Sequence, residues 1–546
     1  MLSVPSAAPS KGQTSVQLLA EAPRRLGFSG VVELAPLPGN KRQKRSTQRQ
    51  DRLQIAAQAT PITRFSIPAP NKSEGQLFDD GEEVLQCPSI RDRLTPRDSP
   101  FRKHRNFGGG FVSDDDKVAL SSMKFASHSS AGATCANLGM IGSGLSRTMD
   151  GEEDVSADEV CVPLPPWAMR AGAREKVYFD PRHCQAAIVT CGGLCPGLND
   201  VVQGIVKKLE DYGVPEGNIH GIKYGFRGFY DRRHKPVILN SKVVDSIQLQ
   251  GGTILGTSRG GADIKEIVKR IDMWGLDMVF VVGGNGGNAG ANAIQVECAK
   301  QDVACCVVGI PKSIDNDILL IDKTFGFDTA VEEAQRALLA AKVEASSAFS
   351  GIGLVKLMGR SSGFIAMQAS MASGVVDVCL IPEVPFSLDG EMGLYAYVRT
   401  LLDHKGHAVI CVAEGAGQQI LAKGEKETDQ SGNPVLKDVG VWMRDLLKKQ
   451  FKEADIKYID PSYLIRSIST ISNDRIYCKI LAHNAVHSAF AGYTGCTMGL
   501  VNTHYVMLPI PTVIQDARRV DPHGKQWNRL RASIGQPTFE GPQMTD

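Results

Sequence analysis

No uninterrupted apolar stretch of about 18 residues occurs in this chain, so it offers no candidate membrane span. No Cys-x-x-Cys pair occurs either. The thirteen cysteines are odd in number and irregularly spaced, which fits neither a secreted disulfide framework nor a zinc site. Most lie inside apolar, strand-like runs, as Cys305, Cys306, Cys379 and Cys411 do, where small buried hydrophobes in a reducing compartment are expected. GxxxxGK[ST] is missing, which removes a Walker loop, and so is the catalytic-loop signature of protein kinases. Excess charge is lacking as well. The formal net charge is +2, and residues 1–50 hold eight Lys/Arg against two Asp/Glu, leaving 53 against 57 for the rest. A body with that balance has no electrostatic footprint for nucleic acid.

What is present is a chain of 546 residues, 42% apolar and 22% charged, with 56 glycines, a length for two or three domains. Residues 1–60 are rich in Ser, Ala, Gln and Arg and poor in acids, the composition of an organelle transit peptide; the alternative is a basic tail. Residues 61–171 are polar and irregular, with "SDDDK" and Gly108-Gly109-Gly110, and are expected to form a mostly loop-like extension that wraps the body.

Regular alternation begins near Arg174. "QAAIVT" (185–190), "DMVFVV" (277–282), "ACCVVG" (304–309), "GIGLVKL" (351–357), "VVDVCLI" (375–381) and "HAVICVA" (407–413) are separated by helix-like segments, which predicts parallel strands in βα units. Each run is nearly continuous in apolar residues, as a strand covered on both faces requires. In "DTAVEEAQRALLAAKVEA" (328–345), Thr329 and Glu332 have the spacing of a capping box, and Val331, Leu338 and Ala341 fall along one stripe. Nearly every strand is followed at once by glycine, a carboxylate or arginine. In doubly wound α/β sheets the carboxyl ends of strands are where ligands bind, so these groups are expected to converge on one cleft.

"VVGGNGGNAGANAI" (281–294) is a strand emptying through glycines into a helix, the layout of an anion nest in which side chains would block backbone N–H donors. In "PKSIDNDI" (311–318), Asp315 and Asp317 are one residue apart and project the same way from an extended loop. Two such acids can divide the work: one takes a proton from an alcohol, the other serves a metal or orients its neighbour. Arg259, Arg360 and Arg466 each follow an apolar run, and guanidinium suits a bidentate grip on phosphate.

The ordered set "TCGGLCPGLND", "GGTILGTSRGG", "GGNGG", "PKSIDNDI", "FGFDTAVEEAQRA", "KLMGRSSGFIAMQAS", "PEVPF", "AEGAG" and "YIDPSYLIR" closely resembles the ATP-dependent 6-phosphofructokinases, in particular the plant and algal plastid type, over residues 110–535. The resemblance implies an α/β fold of two Rossmann-like, doubly wound lobes with an active-site cleft between them. It implies a nucleotide-binding lobe at 172–325, completed by 461–505, and a sugar-phosphate lobe at 326–460, completed by 506–535. The implied reaction moves the γ-phosphoryl of ATP to the 1-hydroxyl of fructose 6-phosphate, with Mg²⁺, at a committed step of glycolysis. A homo-oligomer, dimer or tetramer, under allosteric control in the chloroplast stroma is implied too, the cytoplasm being the alternative.

By position, Asp315 resembles the family's base, with Ser313, Ile314 and Asp317 on the same loop. Gly192, Arg259, Gly260 and Gly284 to Gly287 match its nucleotide contacts, and Phe226 falls where an aromatic lies near the adenine. Met358, Gly359, Arg360, Glu414, Tyr463 and Arg466 match the sugar-phosphate side, Arg360 being also a catalytic cation. Many relatives read GGDGT where this chain has Asn285 and Gly287, so the expected metal residue is an amide oxygen. The loss of a ligand charge is expected to weaken Mg²⁺ binding, not abolish it. Pyrophosphate users share Lys312 but tend to carry Asp at the place of Gly286, where a side chain would crowd the α-phosphate of ATP; Gly286 favours ATP. A pyrophosphate-dependent enzyme and a non-catalytic regulatory subunit are the alternative readings. Two further features are expected to be bland or conditional. His483 and His487 are read as helix surface, and thiol control through Cys191, Cys195, Cys135 or Cys161 requires exposed thiols.

Overall fold

A computed structural model describes residues 83–103, 110–121, 140–143, 160–421 and 435–539, the side chains of 140–143 and 160–163 excepted. The chain divides into two compact units, 1–58 and 59–546, and all described residues belong to the second. The transit-peptide reading and Cys135 lie outside them, as does the side chain of Cys161.

Two sheets organise the second unit. The larger has ten strands. Its parallel centre is Ala186–Thr190, Met278–Gly283, Cys306–Pro311 and Cys496–Val501, with Ile219–Ile222 parallel on one side and the antiparallel His504–Pro509 on the other. The smaller is all parallel, in the order Val378–Leu380, His407–Ala413, Gly351–Leu357, Ile456–Ile459. The expected apolar runs account for most of these strands. Their side chains are buried on both faces because helices cover both, and each buried Val, Leu, Ile or Phe contributes about 1.5–3 kcal/mol relative to exposure. The architecture is mixed α/β with a mostly parallel principal sheet.

Three elements depart from the sequence reading. The segment expected to be an irregular extension supplies short strands to the edge of the larger sheet, Val84–Leu85, Lys117–Ala119 and Trp167–Arg170. It is stitched down by Asp114 of "SDDDK", which accepts from Arg91 (2.5 Å), Arg174 (2.8 Å) and the Tyr493 hydroxyl (2.8 Å). Burial opposes its charge, but these three donors hold the carboxyl well below the usual range. Second, strand His504–Pro509 spans the expected boundary at 505/506 and belongs with the larger sheet, while the Lys525–Ile534 helix lies against the helix Phe364–Ser373 beside the smaller one.

Third, Thr329 is no N-cap. The helix Phe327–Ser347 starts one turn earlier, from Gly326 at φ 86°, and Thr329 gives both its N–H (2.7 Å) and its hydroxyl (2.6 Å) to Asp474 of the helix Ser472–Phe490. A carboxylate from another helix thus takes over the cap, since the glycine has no side chain to offer. His487 is likewise corrected. It is buried, with Nδ1 2.7 Å from the Tyr212 hydroxyl and Phe101 edge-on at 6.0 Å, a core histidine instead of a surface one. Among the described residues no helix is long and apolar enough to cross a membrane.

Candidate active site

The site is built from the loops at the carboxyl ends of the strands. After Ala186–Thr190, Cys191 N–H bonds to Val282 O (2.8 Å), and Gly192, at φ 89°, donates to Ser258 O (3.0 Å) while its carbonyl accepts from Thr257 Oγ1 (2.7 Å). These bonds tie the first glycine loop to residues 253–261, which bring Arg259 and the exposed Gly260. After Met278–Gly283, Gly284 enters the helix Asn285–Lys300 directly, so Asn285, Gly286 and Gly287 form its first turn with their N–H groups unused within the helix. Asn288 secures the turn by donating to Gly283 O (3.0 Å) and Gly284 O (3.1 Å). A Cβ at Gly286 would meet no protein atom within 4 Å, so the nest is open on that side. Phe226 is buried two turns away, its ring so close to Gly290 that a Cβ there would lie 2.6 Å from it.

The acidic loop follows strand Cys306–Pro311. Lys312 N–H bonds to Gly283 O (2.9 Å), which sets this loop beside the glycine turn. The Asn285 amide nitrogen lies 3.5 Å from the Asp317 carboxylate, and Ser313 Oγ donates to the other oxygen of Asp317. Ser313 Oγ also accepts from the Asp315 N–H (3.3 Å). Ile314 is buried and anchors the loop in the core.

From the smaller sheet, Met358 is buried, Gly359 takes φ 131°, and Gly415 N–H bonds to Gly359 O (3.0 Å). Glu414 follows from His407–Ala413, its N–H bonded to Leu357 O (2.9 Å). The two sheets meet at Asp315. Its main-chain carbonyl accepts from Ser362 Oγ (3.0 Å), and its carboxyl takes a backbone hydrogen bond from Arg360. The helix Ser462–Ser467 adds Arg466, whose guanidinium reaches the neighbourhood of Gly193 together with that of Arg259: a Cβ on Gly193 would lie 3.9 and 3.6 Å from the two. Tyr463 is set apart, 80% exposed, with the Arg466 guanidinium 5.1 Å from its ring centre.

The electrostatics follow the geometry. Burial first, then the charges of Asp317 and Glu414, push the Asp315 carboxyl up to about 8, against the Arg360 hydrogen bond and the Lys312 charge. Burial also raises Glu414, while Arg360, Lys356 and Arg466 oppose it. Asp315 Oδ1 and Asn285 Oδ1 are buried with no hydrogen-bond partner. Such atoms each forfeit about 1–3 kcal/mol unless something pairs with them. Among the described residues no cluster of three or more His, Cys, Asp or Glu side chains is placed to hold a metal. Cys191 and Cys195 are both buried, and burial pushes each thiol up to about 12. Among the described residues, the exposed thiol that redox control here requires is absent.

Several residues of the site were not singled out from the sequence. Lys312, read there only for its bearing on donor class, is buried with Nζ facing Gly192: a Cβ on that glycine would lie 3.5 Å from it. Ser362 was quoted but given no role. Asp200, at the end of "TCGGLCPGLND", is buried and accepts from Thr470 Oγ1 (3.1 Å), and Arg475 donates to Thr470 O (2.8 Å). With Asp474 it braces the loop 468–471 that follows Arg466. Nothing local in "GLNDVV" or "ISNDRI" marks either acid as buried.

With this geometry in place, comparison with known proteins is direct. A family model described as phosphofructokinase matches residues 185–489. The chain is similar to "ATP-dependent 6-phosphofructokinase 5, chloroplastic" of Arabidopsis thaliana, 52% identical over 434 residues, covering 79% of this chain and 76% of that protein. It is similar to the ATP-dependent 6-phosphofructokinase of Borreliella burgdorferi, 46% identical over 380 residues, covering 67% of this chain and 85% of that one. Among solved structures, a pyrophosphate-dependent phosphofructokinase from Marinobacter aquaeolei superposes with a TM-score of 0.55 at 18% identity, over 66% of this chain and 92% of that one, a likeness of fold.

Proposed function

We propose a division of labour in the cleft from the premise that this chain belongs to the phosphofructokinase family. It phosphorylates fructose 6-phosphate to fructose 1,6-bisphosphate with ATP. The observation that carries the scheme is the placement of Asp315: half-buried, with one carboxylate oxygen buried and unpartnered, on a loop that touches the glycine turn through Asp317 and Asn285 and the smaller sheet through Arg360 and Ser362.

In this reading Asp315 accepts the proton of the sugar's 1-hydroxyl as its oxygen attacks the γ-phosphorus of ATP, and the bond from that phosphorus to the β,γ-bridging oxygen breaks so that ADP leaves. Burial and the charges of Asp317 and Glu414 favour the acid form of Asp315, while the Arg360 backbone N–H and the Lys312 charge favour the base form that takes the proton. Arg360 carries the charge that grows on the equatorial oxygens, and Glu414, Met358, Gly359, Tyr463 and Arg466 form the sugar-phosphate side. The N–H groups of Gly284 to Gly287 receive the nucleotide phosphates, with Gly192, Arg259 and Gly260 opposite and Phe226 toward the base. Phosphoryl transfer asks little covalent work of a protein, so alignment and charge supply most of the acceleration.

Mg²⁺ fits the residues present. Asn285 Oδ1 has no protein partner and lies on the turn beside the Asp317 carboxylate, so these two would hold the ion, with substrate phosphates and water completing its shell. When bound it supplies positive charge to the transferring phosphoryl group. Gly286, open to its surroundings, supports ATP as donor.

We place the protein in the plastid, supported by the basic, acid-poor first 60 residues and by the word "chloroplastic" in a similar protein's name. We assign it a homo-oligomeric state, dimer or tetramer. Purified protein given fructose 6-phosphate, Mg²⁺ and either ATP or pyrophosphate tests the scheme. Turnover with ATP is expected; turnover with pyrophosphate alone, or with neither, would overturn the donor assignment or make the chain a regulatory subunit.

A further inference from the structure

We propose that Arg518 is a positioning residue for the phosphoryl-transfer loop, holding residues 317–322 from behind so that Asp315 and Asp317 keep their places; this rests on the roles given to those acids above. Arg518 lies in "QDARRVDP", far from the motifs of the cleft. Its segment runs antiparallel to the loop, with Ala517 bridged to Ile318 and the Arg518 N–H donating to Asp317 O (2.9 Å). Its Nη1 donates to two successive carbonyls, Ile321 O (2.9 Å) and Asp322 O (2.8 Å). The guanidinium lies 4.9 Å from the ring centre of Phe364, the first residue of the helix Phe364–Ser373. One residue thereby takes three carbonyls of the loop.

The loop needs that hold. Asn316 (φ 58°) and Leu320 (φ 66°) both adopt the left-handed region, which costs a residue with a Cβ about 1–2 kcal/mol. Such backbone persists only where its surroundings over-determine it. Asn316 is secured by its own side chain, whose Oδ1 accepts from Thr324 N–H (2.9 Å). Leu320 has no such means, and the two carbonyls that Arg518 grips come directly after it. A planar guanidinium can bridge neighbouring carbonyls, whereas an ammonium reaches them only as a point charge.

The segment is anchored in turn to the smaller sheet's side. Glu383 Oε1 accepts from Val520 N–H (2.7 Å) and from Gly363 N–H (2.9 Å) at the start of the helix Phe364–Ser373. Residues 517–520 therefore link the acidic loop of the larger sheet to the helix that follows Arg360. That helix and Asp317 are thereby joined through the two hydrogen bonds of Glu383 and the isolated bridge between Ala517 and Ile318.

The test compares Arg518→Ala, Arg518→Lys and the control Arg519→Ala, a largely exposed neighbour. With Arg518→Ala, kcat is expected to fall about 10- to 100-fold while KM for ATP stays within about twofold, the signature of misplaced reacting groups. Guanidinium ion at millimolar concentration is expected to restore part of the lost kcat, a rescue that general destabilisation would not show. Arg518→Lys, which keeps the charge, is expected to fold and give an intermediate kcat; it decides the matter should the alanine variant fail to fold. Arg519→Ala is expected to behave as wild type. Unchanged kcat in Arg518→Ala and Arg518→Lys, or a loss confined to KM, overturns the proposal. Asp315→Asn separates the two failures: if it alone loses turnover, the base assignment stands and the Arg518 role falls; if it retains turnover, the base assignment itself is wrong.

Discussion

Asn285 and Asp317, 32 residues apart in the segments that follow two adjacent parallel strands, lie with amide nitrogen and carboxylate oxygen 3.5 Å from each other. That contact joins the glycine turn to the acidic loop, so a phosphate in the turn and a hydroxyl beside Asp315 fall within one another's reach. It also aims Nδ2 at Asp317 and leaves Asn285 Oδ1 unpaired, which suits an oxygen ligand of a cation.

Removing the base tests the centre of the scheme. Asp315→Asn keeps size and shape but cannot accept the sugar's proton, and a well-placed general base contributes about 10²- to 10⁴-fold. Turnover is expected to drop by that order while ATP binding, followed by calorimetry, stays near wild type. A near-normal rate would remove Asp315 from its role.

Gly286→Asp probes the donor side. Because an added Cβ meets no protein atom, folding should be undisturbed and the effect should fall on the nucleotide. KM for ATP is expected to rise about tenfold or more, since a carboxylate near a phosphate forfeits at least about 1.4 kcal/mol. Unaltered KM with unaltered melting temperature would show that the phosphates lie elsewhere.

Arg466→Ala is directed at the sugar phosphate. Hydrogen bonds to a charged group contribute about 1.5–3 kcal/mol, so KM for fructose 6-phosphate should increase about 10- to 100-fold. Equal losses for ATP and the sugar would instead place Arg466 with Arg259 on the nucleotide, as their joint approach to Gly193 permits.

Thiol chemistry should leave the cleft untouched. Burial pushes Cys191 and Cys195 up to about 12, so almost no thiolate exists at pH 8. Native protein treated with iodoacetamide should retain its activity, with neither residue labelled in peptide mass spectra. Labelling at either position before unfolding would contradict their burial.

Asp200 makes stability depend on pH with a definite sign. Burial is the main cause raising it from 3.8 to about 6, so the unfolded chain ionises first as pH climbs. Folding free energy is lost between about pH 4 and 6, and above that the full loss, on the order of 2–3 kcal/mol, is present. Asp200→Asn lacks this ionisation, so its melting temperature should gain on wild type between pH 4.5 and 7.5. A difference that stays constant over that range would refute the shift.

Much of the fold was legible because burial on both faces leaves a plain mark. "GIGLVKL" and "HAVICVA" match their strands residue for residue, and the glycines and acids after them stand at strand ends. The cap of Phe327–Ser347 was misread because Thr329 and Glu332 have the right local spacing, and nothing local reveals that Asp474 takes the N–H groups instead. Asp200, Asp474 and Arg518 escaped notice for the same reason. Their partners lie 145 to 270 residues away for the first two and 196 or more for the guanidinium of the third.

By itself the sequence determined which segments become strands, where phosphate-sized gaps in side chains occur, and which acids and cations stand beside them, because periodicity and glycine placement are local properties of a chain. Only the tertiary structure decided that Asp315 sits between two sheets with one carboxylate oxygen buried, that Cys191 and Cys195 are sealed and that Tyr463 faces solvent. Desolvation and long-range hydrogen bonds depend on what the rest of the chain brings to a point in space, and no short stretch of residues encodes that.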